Sequence, residues 1–431
     1  MPAAIDVQAL RRQFPALARE VAGRPAVFFD GPAGSQVPTR VIDAMSDYLA
    51  HHNANHGGLF ATSVESDSML EAVHGAAAAL LGAREADCTV FGQNMTSLTF
   101  ALSRALGRTW QHGDEVLVTR LDHDANVTPW VLAARDAGAT AKYVEIDRDD
   151  CTLDMNDLRR KLSSRTKLIA VGAASNAVGT INPVAEICRL ARDAGALSFV
   201  DAVHYAPHAL PDVAAWDCDF AACSAYKFFG PHLGLLWGRR ELLRSLPAYK
   251  VRPASDALPD RWMTGTQSHE SIAGLGAAID YLCELGDASL AESANSGGDA
   301  SAAARTSNAR TSTRDRLVAA YSAIAAHERP LGAKLLAGLR EIADVRVLGI
   351  TEPGRLDQRV PTVSITHRRH APQVVAERLA ACGIFVWHGN FYALEVSTAL
   401  GLEPQGMVRI GLLHYNTPDE VDRLLNALAE L

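Results

Sequence analysis

Apolar positions between residues 70 and 240 follow two alternating rhythms. Short, nearly continuous apolar runs occur at "CTVFG" (88–92), "EVLVT" (115–119), "AKYVEI" (141–146), "KLIAVG" (167–172), "LSFVD" (197–201) and "FAACS" (220–224). Between several of them the spacing becomes helical, as in "PVAEICRLARDAGA" (183–196), which carries near its end a glycine of the kind that stops helices. Buried, β-branched runs alternating with helices predict a mostly parallel sheet with helices on both faces. In such sheets ligands gather at the carboxyl ends of the strands.

Beyond residue 285 the rhythm breaks. The stretch "GDASLAESANSGGDASAAARTSNARTSTR" (286–314) is almost wholly small and polar and holds no aromatic residue. It can bury little surface and reads as a flexible excursion or linker. "LVAAYSAIAAHERPLGAKLLAGLREI" (317–342) returns to helical spacing, with Pro330 expected to start a new helix or kink one. "VRVLG", "VPTVSIT" and "MVRIGLL" then read as strands of a smaller α+β domain. It closes with "TPDEVDRLLNALAEL", where Thr417 and Glu420 form a capping-box pattern.

Bulk numbers narrow the function classes. At 431 residues the chain is too long for one ordinary core, and two domains are expected. Its composition, 48% hydrophobic and 21% charged, is that of an ordinary globular protein. A net charge of −8 speaks against nucleic acid or an anionic membrane as partner, since both select a basic face. No apolar run approaches the roughly 18 residues of a membrane span, and "MPAAIDVQALRRQFPAL" lacks a signal peptide's apolar core. Seven scattered cysteines without CxxC spacing suit a reducing cytoplasm.

Candidate chemistry enters at "CSAYKFFGPH" (223–232), which sets Lys227 among aromatic residues. A surface lysine with its stem over the rings and a buried, neutral, nucleophilic amine both fit this stretch alone. The other strand ends favour the second. Asp201 ends "LSFVD", His204 follows it, His123 follows "EVLVT", and Asn176 stands in "SNAVGT". Singly, each is an ordinary turn or cap residue. Together they fall on successive loops at one edge of one sheet. The set suits pyridoxal 5'-phosphate, which needs a lysine for its aldehyde, a carboxylate for its ring nitrogen, a stacking ring and donors to its phenolate. "FGQNMTSLTFAL" (91–102) adds a helix start that could take the phosphate. The pairs His204/His208 and His367/His370 lack an HExxH context or acidic neighbours, so no metal is expected.

The ordered motifs "SNAVGTINPV", "FVDAVHYAPH", "DCDFAACSAYKFFGPHLGLLWGRREL" and "VRIGLLHYNTPDEVDRLL" resemble the class V aminotransferase family, nearest its cysteine desulfurase-like branch. The resemblance implies an α/β fold of type I: a large domain with a mostly parallel seven-stranded sheet and a smaller α+β C-terminal domain. The expected organisation is an N-terminal segment (1–21) packing with the small domain, a large cofactor-binding domain (22–285), the insert (286–314) and the small domain (315–431). Lys227 would be the Schiff-base lysine, Asp201 the partner of the pyridine nitrogen and His123 the stacking ring. His204, where many relatives carry Gln, and Asn176 would sit near the phenolate oxygen. Thr96, Ser224 and the backbone at Met95 would hold the phosphate, and Tyr226 stands where relatives often have His. Thr266, in "MTGTQ", would reach the phosphate of a neighbouring subunit, implying a homodimer with shared sites. Arg409 would clamp the carboxylate of a small amino-acid substrate.

One family feature is missing. Cysteine desulfurases carry a nucleophilic cysteine on a loop of the small domain, but the matching stretch "GIFVWHGNFYALEVSTALGL" (383–402) has none. Trp387, His388, Asn390, Phe391 and Tyr392 stand there instead, and Cys382 lies just before the strand. The expectation is therefore an enzyme working through a substrate α-carbanion, as a carbon–sulfur lyase without a loop-cysteine persulfide. Transamination or epimerisation is the alternative, and a catalytically dormant cofactor-binding partner protein is a third.

Overall fold

The computed structural model describes residues 5–296 and 311–431. Seven strands build the larger sheet: β1 Thr89–Gly92, β2 Glu115–Thr119, β3 Thr140–Val144, β4 Thr166–Gly172, β5 Leu197–Asp201, β6 Phe220–Ser224 and β7 Gly234–Gly238. Their order is β1-β7-β6-β5-β4-β2-β3, with β7 antiparallel to both neighbours and the other pairings parallel. The six apolar runs fall on β1 to β6. β7 lies outside them because "GLLWG" is short and begins and ends on glycine. Gly234 is required there, since a Cβ would lie 2.3 Å from the carbonyl carbon of Asn94, where β7 passes beneath the turn after β1.

Both faces of this sheet are covered. Val116, Val118, Leu168, Phe199 and Phe220 pack on one side with Trp130, while Leu117, Ile169 and Val171 pack on the other with Ile187. Each fully buried side chain of this size stabilises by about 1.5–3 kcal/mol relative to exposure. That two-sided burial is why the strands read as continuous apolar runs.

Helix α1 (Met95–Gly107) follows β1, and helix α2 spans His269–Ser296. α2 therefore runs into the stretch whose composition predicts a flexible excursion. Its Gly286 lies against the backbone of Arg316, and Arg316 grips Asp287 at 2.6 Å. Residues 297–310 of that stretch lie outside the described residues.

Helix α3 (Thr313–Glu341) continues through Pro330 as one element, so of the new start or kink expected there no new start occurs. The carbonyl of Ala326, which the proline cannot pair, is on the exposed side, while Leu331, Leu335 and Leu339 on the other face are buried. The one is open to solvent and the core holds the other.

The smaller C-terminal domain has four antiparallel strands, β8 (Val345–Leu348), β9 (Thr362–His367), β10 (Trp387–Gly389) and β11 (Met407–Gly411), in the order β8-β9-β11-β10. Helix α4 (Pro418–Ala429) closes it, and the capping box of Thr417 and Glu420 is formed in both directions. Near the chain start, Val27–Phe28 pairs in parallel with Ile384–Phe385, and Arg11 pairs with Glu420 at 2.9 Å.

Candidate active site

The carboxyl ends of β2, β4, β5 and β6 and the start of α1 open into one cavity of about 690 Å³. Its walls include Met95, Thr96, His123, Asn176, Asp201, His204, Ser224, Tyr226 and Lys227. Nine of the residues singled out in the sequence thus meet in one place, although 132 positions separate Met95 from Lys227. Two do not line it. Thr266 lies on an exposed turn, and Arg409 is buried behind the wall.

Each group is set by local geometry. Asp201 ends β5, and its Oδ1 accepts the Val203 N–H at 2.8 Å, an Asx turn that aims the carboxyl along the strand. Burial raises it to about 6 despite the nearby Lys227. The Lys227 amine donates to the carbonyls of Pro32 and Ala33, and burial, aided by Arg409, brings it down to about 7. His123 accepts the Ala125 N–H on Nδ1 at 3.0 Å, and burial lowers it to about 4, so its ring is neutral at pH 7. His204 pairs through Nε2 with Thr362 Oγ1 at 2.9 Å, and its buried Nδ1 has no partner among the described residues.

Two details refine the sequence reading. The Met95 N–H, expected to face a phosphate, donates to Ser224 Oγ at 3.0 Å. The pair ties the start of α1 to the end of β6, so Ser224 and Thr96 are the hydroxyls of that corner. Asn176 uses its amide nitrogen on the Phe391 carbonyl at 2.9 Å, which ties the strand end to the small domain's loop.

Sequence reasoning missed Asp122, although it directly precedes His123. Asp122 lines the cavity, accepts the Gly172 N–H at 2.7 Å, and is pushed up to about 8 by burial. In "LDHDAN" it looks like one more turn former, which hid it. Tyr392, also on the wall, stacks on His123 with ring centroids 5.4 Å apart.

Tested against pyridoxal phosphate, the donor set fits. An amine that sheds its charge near neutrality and a buried carboxyl share one cavity, an unpartnered imidazole nitrogen sits among them, and a helix start with two hydroxyls closes one end. Aldehyde, ring nitrogen, phenolate and phosphate each have a complementary group.

Comparison with known proteins points the same way. Residues 27–305 and 317–424 match the family model described as Aminotransferase class-V. A cysteine desulfurase of Dickeya dadantii is 32% identical over 98% of this chain and 96% of its own length. A probable cysteine desulfurase of Streptomyces coelicolor is 30% identical over 99% of this chain and 97% of its own. Among solved structures, the apo cysteine desulfurase of Thermococcus onnurineus NA1 superposes with a TM-score of 0.84 at 26% identity, covering 100% of this chain and 99% of that one.

Proposed function

The chain belongs to the class V aminotransferases, and on that premise we propose that it cleaves a carbon–sulfur bond in a β-substituted amino acid without passing the sulfur to a cysteine of its own. That it is a pyridoxal-phosphate-dependent enzyme of the cysteine desulfurase-like kind follows from the family and its relatives. The finer reading rests on one observation: the loop segment that reaches the cavity presents Tyr392, and residues 383–402 hold no thiol.

Bound in the cavity, pyridoxal phosphate supplies an electron sink for the bonds at the substrate α-carbon. The protein's part is to hold and to move protons. Lys227 would hold the cofactor covalently and, once released by the substrate amine, would take the proton from Cα. An amine poised near pH 7 suits that task. Asp201 would keep the ring nitrogen charged from its buried position. His123, neutral and flat, would cover one face of the ring, and His204, steadied by Thr362, would offer Nδ1 to the phenolate oxygen. Thr96 and Ser224 would hold the phosphate, with Tyr226 beside them and Thr266 reaching across from a second copy. Arg409 would take the substrate carboxylate. A cytoplasmic homodimer fits seven unpaired cysteines, six of them buried, and the exposed Thr266 turn.

The test is a panel of amino acids with product identification, run beside Lys227→Ala. Cysteine and its thioethers should yield pyruvate with sulfide or thiol, and the variant should lose about 10²–10⁴-fold in turnover. Conversion of the cofactor to its amine form would establish transamination instead. A cofactor absorbance unmoved by every amino acid would leave only a binding protein.

A further inference from the structure

Arg409 sits mid-strand on β11, paired with Ser364 on one side and Trp387 on the other. Its guanidinium carries its charge in a buried place, with Nη1 donating to the Asn176 carbonyl at 2.9 Å and Nε without a partner among the described residues. The ring of Phe391 lies over that guanidinium, 4.2 Å from its centre to the guanidinium carbon. Arg409 is 4% exposed and is not part of the cavity wall. Phe391, itself not on the cavity wall, covers one face of the guanidinium, and the next residue, Tyr392, stands on that wall, so the 391–392 turn lies where Arg409 and the cavity come together.

The backbone that holds Phe391 in place is unusual. Phe391 and Tyr392 both have left-handed φ, +57° and +58°, which side chains with a Cβ rarely adopt in succession. Two latches from the large domain fix this turn: Asn176 Nδ2 donates to the Phe391 carbonyl at 2.9 Å and the Asp124 N–H donates to the Tyr392 carbonyl at 2.7 Å. On the small-domain side Asn390 is anchored by Glu403 at 3.1 Å, and Gly389 has φ +109°. A strained turn with a glycine before it and two hydrogen bonds across the domain boundary can hold one position or release it. Asn176 touches both parties, receiving Arg409 on its carbonyl and holding Phe391 through its amide.

We infer that Phe391 is the gate of the carboxylate site: Arg409 receives a substrate carboxylate only when the 390–392 turn leaves the large domain. The inference rests on the assignment of Arg409 to the substrate carboxylate. With the gate shut, the guanidinium keeps its charge against an aromatic face and one carbonyl, with Asp30 and Tyr226 near enough to favour that charge, and small anions in the cavity are refused. Phe391 thus sets which acids are admitted, and the fraction of time the turn stands open scales the apparent affinity for all of them.

The test reads Arg409 directly. The cofactor-loaded protein is treated with phenylglyoxal, which modifies accessible guanidinium groups, and Arg409 is followed by peptide mass spectrometry. Arg359, buried against the carbonyls of Val178 and Thr362, serves as internal reference. Phe391→Ala should label at Arg409 about ten-fold faster than wild type, with Arg359 unchanged, and its KM for the amino acid turned over should fall by about the same factor while kcat changes less. If Phe391→Ala does not fold, Asn176→Ala removes one latch without touching the ring, and its Arg409 labelling should rise in the same direction. Equal labelling with and without the ring, or faster labelling with KM unchanged, overturns the gate. Arg409→Lys separates the two claims: if it leaves amino-acid KM unchanged, the carboxylate assignment itself is wrong.

Discussion

As the proposed covalent tether, Lys227 would meet the cofactor aldehyde only as a free amine, so its proton affinity would govern how fast the apoprotein is loaded. Burial and the charge of Arg409 hold it near 7, far below the 10.5 of an ordinary lysine. The amine is charged below that value and neutral above it. Covalent cofactor uptake, followed by absorbance, should therefore rise from pH 6 to 8 and level off, where an ordinary lysine would still be climbing at pH 10. Because Arg409 lowers Lys227, Arg409→Met should move the midpoint upward. Asp201 pulls the other way, and its removal should move the midpoint down. At this scale the sequence was informative wherever a residue type had a chemical reason to follow a strand: Lys227, Asp201, His123 and His204 all stand at strand ends. It was silent on Phe391, because nothing near residue 391 says that a strand at 409 will bring an arginine beneath its ring. It was silent likewise on the carbonyls of Pro32 and Ala33, since backbone groups carry no residue signature.

Elements were legible where local chemistry decides them. Thr417 and Glu420 cap α4 as their spacing requires, and Thr417→Ala should cost about 1 kcal/mol, read as a lower urea midpoint at unchanged slope. The two departures have one cause. Composition judged 286–296 too poor in large apolar residues to fold, yet a helix needs only backbone bonds and a neighbour, and the start of α3 provides one. Pro330 signalled a new start or a kink, yet the helix continues through it, since a proline on the exposed side of a long helix loses only a bond that solvent can replace. In both places packing outweighed local preference.

For the whole molecule, the proposed homodimer makes the plainest prediction. Leu59 is fully exposed, with Phe60 at 60% beside it and Val64 at 51% in the first turn of the helix Ala61–Leu81 that follows. Apolar side chains so grouped are normally covered. Sedimentation should show two copies per particle, and Leu59→Glu should halve that mass. A monomeric wild type would remove the role given to Thr266.

The pairing of Val27–Phe28 with Ile384–Phe385 bears on how the chain matures. Val27 and Phe29 share a core with Ile384, Val408, Ile410 and Leu424, so residues near the start find these partners only after some 350 to 400 more have been joined. While the ribosome is still working, that greasy stripe has nothing to lean on, and the nascent polypeptide must wait with it uncovered. Contacts this distant in order of synthesis make folding slow and leave the growing chain dependent on whatever shields it meanwhile.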